Sequence, residues 1–168
     1  MWVIRVEAWG KLFYRLPLLK SNLAVLQSRD EALRLSAMPT EVLLARAFAE
    51  KRFFDLIDLD AFGSPSALIQ PVLQVLAFDG VLLLASTDGR SPTGHDRPGA
   101  IRRFGAAARV HPASWELALR LQLGLLACQA WMLGRGVQPL LAFSEGRAFR
   151  LAVRLTRRPT AAEEEHLG

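Results

Sequence analysis

Residues 53–65 read Phe-Phe-Asp-Leu-Ile-Asp-Leu-Asp-Ala-Phe-Gly-Ser-Pro, an apolar stretch that runs into two carboxylates, Asp58 and Asp60, and then breaks at Gly63 and Pro65. Open α/β sheets bind their ligands beyond the carboxyl ends of the strands. A strand ending Asp60-Ala61-Phe62-Gly63 therefore puts a carboxylate and an aromatic face in that crevice, a combination that suits a planar amine. The alternatives are a strand-end cap for Asp60 and a core ring for Phe62. Asp58 falls on the same side as Asp60 in an ideal strand. It can support the loop, or hold magnesium in an enzyme of another kind, although no third acid stands at a spacing that completes such a site.

The elements that must position these groups follow from periodicity. Phe53 to Asp60 is predicted as a strand, with Ser64 or Pro65 opening a helix to about Ala77 in which Ala67, Leu68, Val72, Val75 and Leu76 form the apolar stripe. Asp79-Gly80 reads as a turn. Gly80 to Ser86 is almost all aliphatic, as in a strand buried on both faces of a parallel sheet, and strand, helix and strand make a right-handed crossover. Residues 88–104, rich in Gly, Pro, Asp and Arg, predict a long irregular connection on the rim of Asp60. There Thr87, Asp88 and Arg90 line the pocket mouth or form an ordinary polar turn, and His95 and His111 stand on loops.

Pro112 suits a helix start, and residues 117–133 are apolar almost all round, which predicts deep packing. Glu116 and Arg120, at i,i+4, form a helix pair. Val137 to Phe143, the turn Ser144-Glu145-Gly146-Arg147, and Phe149, Leu151, Val153 and Leu155 alternating with Arg150 and Arg154 predict a carboxyl-terminal β-hairpin. Upstream, residues 2–9 suit a short strand, 12–27 an apolar helix-length stretch interrupted by Pro17, and 30–50 a helical region around Pro39. From Thr156 the chain turns polar, with Glu163-Glu164-Glu165, as in a frayed tail.

A chain of 168 residues with 51% hydrophobic content supports one domain with its own core. Cys128 is its only cysteine, so neither an intrachain disulfide nor a cysteine zinc cluster can form. No apolar run reaches the roughly 18 residues of a membrane span, and Met1 to Glu7 lacks the order of a signal peptide. These features together predict a soluble protein of the reducing cytoplasm, without a membrane partner. The formal charge of +5 and pI near 10.3 fit a polyanionic partner or a solvated arginine-rich surface.

Four ordered blocks carry a family resemblance: Asp58-Leu59-Asp60-Ala61-Phe62-Gly63-Ser64-Pro65, Thr87-Asp88-Gly89, Arg103-Phe104-Gly105-Ala106 and Glu116-Leu117-Ala118-Leu119-Arg120. Together they resemble the tRNA (guanine(26)-N(2))-dimethyltransferases, and Ser86 to Arg90 with Thr93-Gly94-His95 is similar to the cyanobacterial branch. The resemblance runs from about Leu19 to Leu155. It implies a Rossmann-like class I methyltransferase fold, S-adenosylmethionine as cofactor, and methyl transfer to the exocyclic N2 of a guanine in tRNA. The hairpin would be the closing antiparallel pair of that sheet. Asp60 and Phe62 take the catalytic roles, as acceptor of the amine protons and stacking surface for the purine. Gly63, Ser64, Pro65, Thr87, Asp88 and Arg90 bind substrate, Asp58 faces the cofactor, and Arg102 and Arg103 contact RNA.

The resemblance also marks departures. No glycine-rich turn precedes residue 53, and if residues 2–8 are the second strand, the ribose-binding acid falls near Gly10, with Glu7 close by. Ala61 replaces the proline usual after the motif aspartate. The expectation is an N-terminally incomplete α/β sheet: residues 1–156 as a partial methyltransferase catalytic domain and 157–168 as a polar flexible tail. A second chain or missing N-terminal segment would complete the cofactor site, and S-adenosylmethionine would bind the chain alone weakly or not at all. The other function class is a truncated, non-catalytic RNA-binding remnant or subunit.

Overall fold

The computed structural model describes residues 6–9, 16–22, 24, 33–36, 38–146 and 148–165. The chain divides into two compact units, Met1–Glu50 and Lys51–Gly168. The division follows the hydrogen bonding, because among the described residues the strands before Glu50 pair only with each other.

In the first unit, β1 (Val6–Trp9) and β2 (Leu33–Ser36) pair in parallel, Val6 opposite Leu33 through Trp9 opposite Ser36. Helices α1 (Leu16–Asn22) and α2 (Thr40–Ala49) accompany them. The helical expectation for residues 30–50 is corrected in its first half: Leu33-Arg34-Leu35-Ser36 alternates with period two and forms a strand. Pro39, in extended backbone with ψ 142°, marks where α2 can begin.

The second unit is a mixed four-stranded sheet with helices on one face. Its strands are β3 (Phe54–Ala61), β4 (Leu76–Ser86), β5 (Gly136–Glu145) and β6 (Ala148–Thr156), in the order β3-β4-β6-β5. β3 and β4 are parallel, while β6 is antiparallel to both β4 and β5, as the predicted hairpin requires. Helix α3 (Ser66–Val75) makes the crossover from β3 to β4. The expected turn at Asp79-Gly80 is instead an irregularity inside β4. Asp79 takes φ 63°, and the partners step from Phe54 with Leu76 to Leu56 with Val81, so extra β4 residues bulge while the strand continues.

Period-two burial fixes which way the sheet faces. Ile57 and Leu59 of β3, Leu82 and Leu84 of β4, and Phe149, Leu151, Val153 and Leu155 of β6 are buried with Ile69, Val72 and Leu73 of α3. On the other face, Val81 and Leu83 are only half-buried and Leu56, Leu141 and Phe143 are exposed, so β4 is not buried on both faces as its aliphatic run suggested.

Helix α4 (Arg97–Phe104) occupies the end of the segment expected to be irregular. Its signals are local: Asp96 caps it by accepting from the Gly99 amide at 3.0 Å, Pro98 stands in its first turn, and it ends at Gly105. Helix α5 (Ser114–Met132) corrects the expectation of deep packing. Only the stripe Ser114, Ala118, Gln122, Leu126 and Ala130 is buried, because a helix laid on one sheet face can turn only one side to it. Trp115 and Leu117 are each 45% exposed, though the Trp115 ring stacks on Phe149 with centroids 5.4 Å apart.

The expected flexible tail contains a short helix, α6 (Ala161–Glu165). Thr160 and Glu163 form a reciprocal capping box, with the Glu163 amide on Thr160 Oγ1 at 3.3 Å and the Thr160 amide on Glu163 Oε2 at 2.6 Å. Glu163 also accepts from the Val137 amide at 2.8 Å and Trp131 Nε1 at 3.1 Å, which ties α6 to β5 and α5. No helix among the described residues is long and apolar enough to cross a membrane.

Candidate active site

β3 and β4 end side by side, Asp60 opposite Ala85 and Ala61 opposite Ser86, and the chain leaves both strands at the same rim. The two exits are bolted together through Gly63. Its carbonyl accepts from the Thr87 amide at 3.0 Å, the Asp88 amide at 3.3 Å and Ser86 Oγ at 3.1 Å, while its own amide donates to Thr87 Oγ1 at 2.7 Å. Gly63 has φ 81°, in the left-handed region that β-carbons oppose, which accounts for glycine here. A Cβ added there would meet nothing within 4 Å, so the requirement is conformational rather than steric.

With Gly63 held, the preceding residues project from the rim. Phe62 is 97% exposed and so fills no core. Asp60 lies on the exposed side of β3, and among the described residues its carboxylate accepts no hydrogen bond; the residue preceding α3 is Pro65, with no side-chain cap. Both groups are therefore accessible to solvent, Asp60 at the end of β3 and Phe62 just past it. Pro65 is buried, and Ser64 Oγ accepts from the Ser66 amide at 3.4 Å, so these two residues shape the start of α3.

Asp88 turns away from solvent and organises its own loop. Its Oδ1 accepts from the Ser91 amide at 3.1 Å and the Arg90 amide at 3.3 Å, and its Oδ2 lies 3.3 Å from Arg103 Nη1. Arg90 is exposed and reaches the His95 carbonyl at 3.4 Å. Arg102 is exposed on α4 with no ion pair among the described residues, whereas its neighbour Arg103 is engaged within the protein. Asp58 stands apart from the rim groups: with Leu83, Leu141, Phe143, Arg150 and Ala152 it lines a depression of about 200 Å³ on the open sheet face. Among the described residues no three His, Cys, Asp or Glu side chains converge to hold a metal ion.

The rim also uses residues given no role in the site above. Ser86, buried at the end of the aliphatic run, donates to Gly63 and accepts the Asp88 amide at 3.3 Å. Ser91 and Thr93 are buried in the loop, Thr93 Oγ1 bonding the Gly89 carbonyl and lying 2.9 Å from His95 Nδ1. A hydroxyl closing a buried strand is the signal for Ser86, and the resemblance of Thr93-Gly94-His95 the signal for Thr93; nothing in the spacing signals Ser91. Glu116 and Arg120 form the expected pair at 2.7 Å, out in solvent.

Comparison with solved structures defines the class. The chain superposes on Trm1 from Pyrococcus horikoshii, determined with S-adenosyl-L-methionine, at a TM-score of 0.84 with 23% identity, covering 98% of this chain and 47% of that one. An O-methyltransferase from Bacillus cereus in complex with SAH matches at a TM-score of 0.54 with 12% identity, over 90% of this chain and 61% of that one. The fold is thus the Rossmann-like α/β fold of class I methyltransferases. The model of the N2,N2-dimethylguanosine tRNA methyltransferase family matches residues 16–166, and the chain belongs to that family. Among relatives, the tRNA (guanine(26)-N(2))-dimethyltransferase of Pyrobaculum arsenaticum is 35% identical over 103 residues, 61% of this chain and 29% of that protein. The chain spans about a third or less of the length of the archaeal relatives it matches.

Proposed function

We propose that this chain carries the methyl-accepting side of a tRNA guanine N2-methyltransferase of the position 26 type. The observation that carries the reading is the rim of β3, where a fixed glycine is followed back along the chain by a fully exposed Phe62 and an Asp60 without a hydrogen bond among the described residues. The exocyclic amine of guanine is a poor nucleophile because its lone pair is delocalised into the ring. Asp60 accepts a proton from that amine as the N–CH3 bond forms, and Phe62 stacks on the purine and holds it in plane. The base leaves its stack in folded tRNA to reach them. Thr87, Asp88, Gly63, Ser64 and Pro65 shape the mouth, and the exposed Arg90 and Arg102 contact phosphates. A cytoplasmic setting accords with a tRNA substrate.

S-adenosylmethionine, when bound, supplies the methyl group as an electrophilic sulfonium. The described residues fit the acceptor side of that chemistry only. They include no glycine-rich turn before β3, and among them β3 pairs on one side alone, with β4. A segment outside the described residues or a second chain therefore holds the cofactor against the free edge of β3. The same observation favours one alternative, an RNA-binding piece that does no chemistry by itself.

The test measures transfer of labelled methyl to guanine N2 of tRNA, by the purified chain alone and supplemented with the amino-terminal part of an archaeal relative. Supplementation is expected to raise transfer, and Asp60→Asn to abolish most of it with tRNA binding retained. Undiminished transfer by Asp60→Asn would overturn the assignment of the base; tRNA binding without transfer under either condition would leave the binding reading in its place.

A further inference from the structure

Arg102 and Arg103 are adjacent on α4, and a helix turns successive side chains about 100° apart, so the two cannot serve one surface equally. Arg102 faces solvent. Arg103 Nη1 instead lies 3.3 Å from Asp88 Oδ2 and 3.6 Å from Asp96 Oδ2, and donates to Ser91 Oγ. We propose that Arg103 is a positioning residue of the rim: it locks the loop 86–96 to α4, and through Asp88 and Gly63 it fixes the direction in which Asp60 and Phe62 are presented.

Each link in that chain is a named contact. The Asp88 side chain is only 10% exposed, and its Oδ2 has no hydrogen-bond partner of its own, so the nearby guanidinium is what compensates the charge. The Asp88 amide and that of Thr87 bond the Gly63 carbonyl, and Gly63 directly follows Phe62. The loop has little room to settle elsewhere: a Cβ on Gly94 would fall 2.3 Å from the Arg109 carbonyl carbon, so 91–96 already lies hard against the chain after α4. Without Arg103, the inward oxygen of Asp88 must be hydrated. The loop then opens, and the bonds of Thr87 and Asp88 to Gly63 are the first to be lost. A phosphate-contacting arginine predicts otherwise, since lysine replaces it as a point charge in solvent; here Asp88, Ser91 and Asp96 all converge on Nη1, one bond further from the backbone than a lysine ammonium, so lysine falls short of them.

Only the catalytic consequence rests on the proposed function; the structural one is read on the purified chain without tRNA or cofactor. Hydrogen exchange of Arg103→Ala and Arg103→Lys is expected to show the Thr87 and Asp88 amides exchanging faster by on the order of tenfold or more, with the amides of β4 and β6 unchanged. Arg102→Ala should leave all of them alone. In the methyl-transfer assay both Arg103 variants should lower kcat while KM for tRNA stays within about twofold of the parent. If Arg103→Ala fails to fold, Arg103→Lys carries the same comparison. Unchanged exchange at Thr87 and Asp88, or full recovery with lysine alongside a loss of tRNA affinity with alanine, would overturn the proposal and return Arg103 to the RNA-facing surface.

Discussion

The two ends of the sheet in the Lys51–Gly168 unit differ in what their side chains are left to do. At the end where β5 begins, several polar groups are engaged within the protein. Arg135 Nη1 donates to the carbonyls of Leu73 at 2.5 Å and Leu76 at 3.2 Å, satisfying the end of α3 and the start of β4, while its guanidinium lies over the Phe78 ring at 4.8 Å. Arg157 covers the same ring at 5.1 Å, and Glu163 collects the amides of Val137 and Thr160. At the other end the loops are just as tightly bonded, but the bonding stops one residue short of Phe62 and excludes Asp60. The same kinds of residue, an aromatic ring and a carboxylate, close the structure at one end and stand open at the other. Openness on a rigid support distinguishes a site from a cap.

The largest stability effect should fall at the closed end. Arg135→Ala leaves two carbonyls unsatisfied and is expected to cost about 2 kcal/mol in denaturant unfolding, whereas Phe62→Ala should cost under roughly 0.5 kcal/mol while weakening capture of the flipped base. Equal costs for the two variants would break the comparison.

Glu163→Gln sharpens it through pH. Desolvation pushes the Glu163 carboxyl up, but hydrogen bonds from the Thr160 and Val137 amides, Trp131 and the Thr160 hydroxyl together outweigh it, so its pKa lies below the ordinary carboxyl value. A carboxyl depressed by folding stabilises at pH above its unfolded value, and that contribution is lost as pH falls through the folded one. At neutral pH Glu163→Gln is expected to cost about 1 kcal/mol, and the gap between variant and parent should shrink on acidification below the ordinary carboxyl range. A gap that stays constant down to pH 2 would show that the carboxylate charge contributes nothing.

The smallest effect is expected at Arg102→Ala, with no change in unfolding and a modest loss of tRNA affinity, the slope of log affinity against log salt falling by about 1. An unchanged slope would remove Arg102 from the RNA-facing surface.

Much of this architecture was written locally. The β3 strand, the helix opening near Pro65 and the hairpin around Gly146 each follow from periodicity and turn residues within a dozen positions, and Asp60-Ala61-Phe62-Gly63 marks the rim for which the site is proposed. The capping box Thr160-Ala161-Ala162-Glu163 and the Asp96 cap of α4 were equally local, but polar composition masked them, and both segments read as irregular. Other features could not have been read from one stretch of chain. That Phe62 is presented while Phe149, in a similar alternating strand, is buried under Trp115 depends on which sheet face the helices cover. That Arg103 pairs with carboxylates while Arg102 does not depends on the loop before α4 folding back to bring Asp88 against the helix. The sequence alone determined which groups are available and which short elements carry them, because backbone propensity and capping act over a few residues. The tertiary structure decided which of those groups are satisfied and which are left free, because burial and charge pairing are settled only when distant segments compete for the same space.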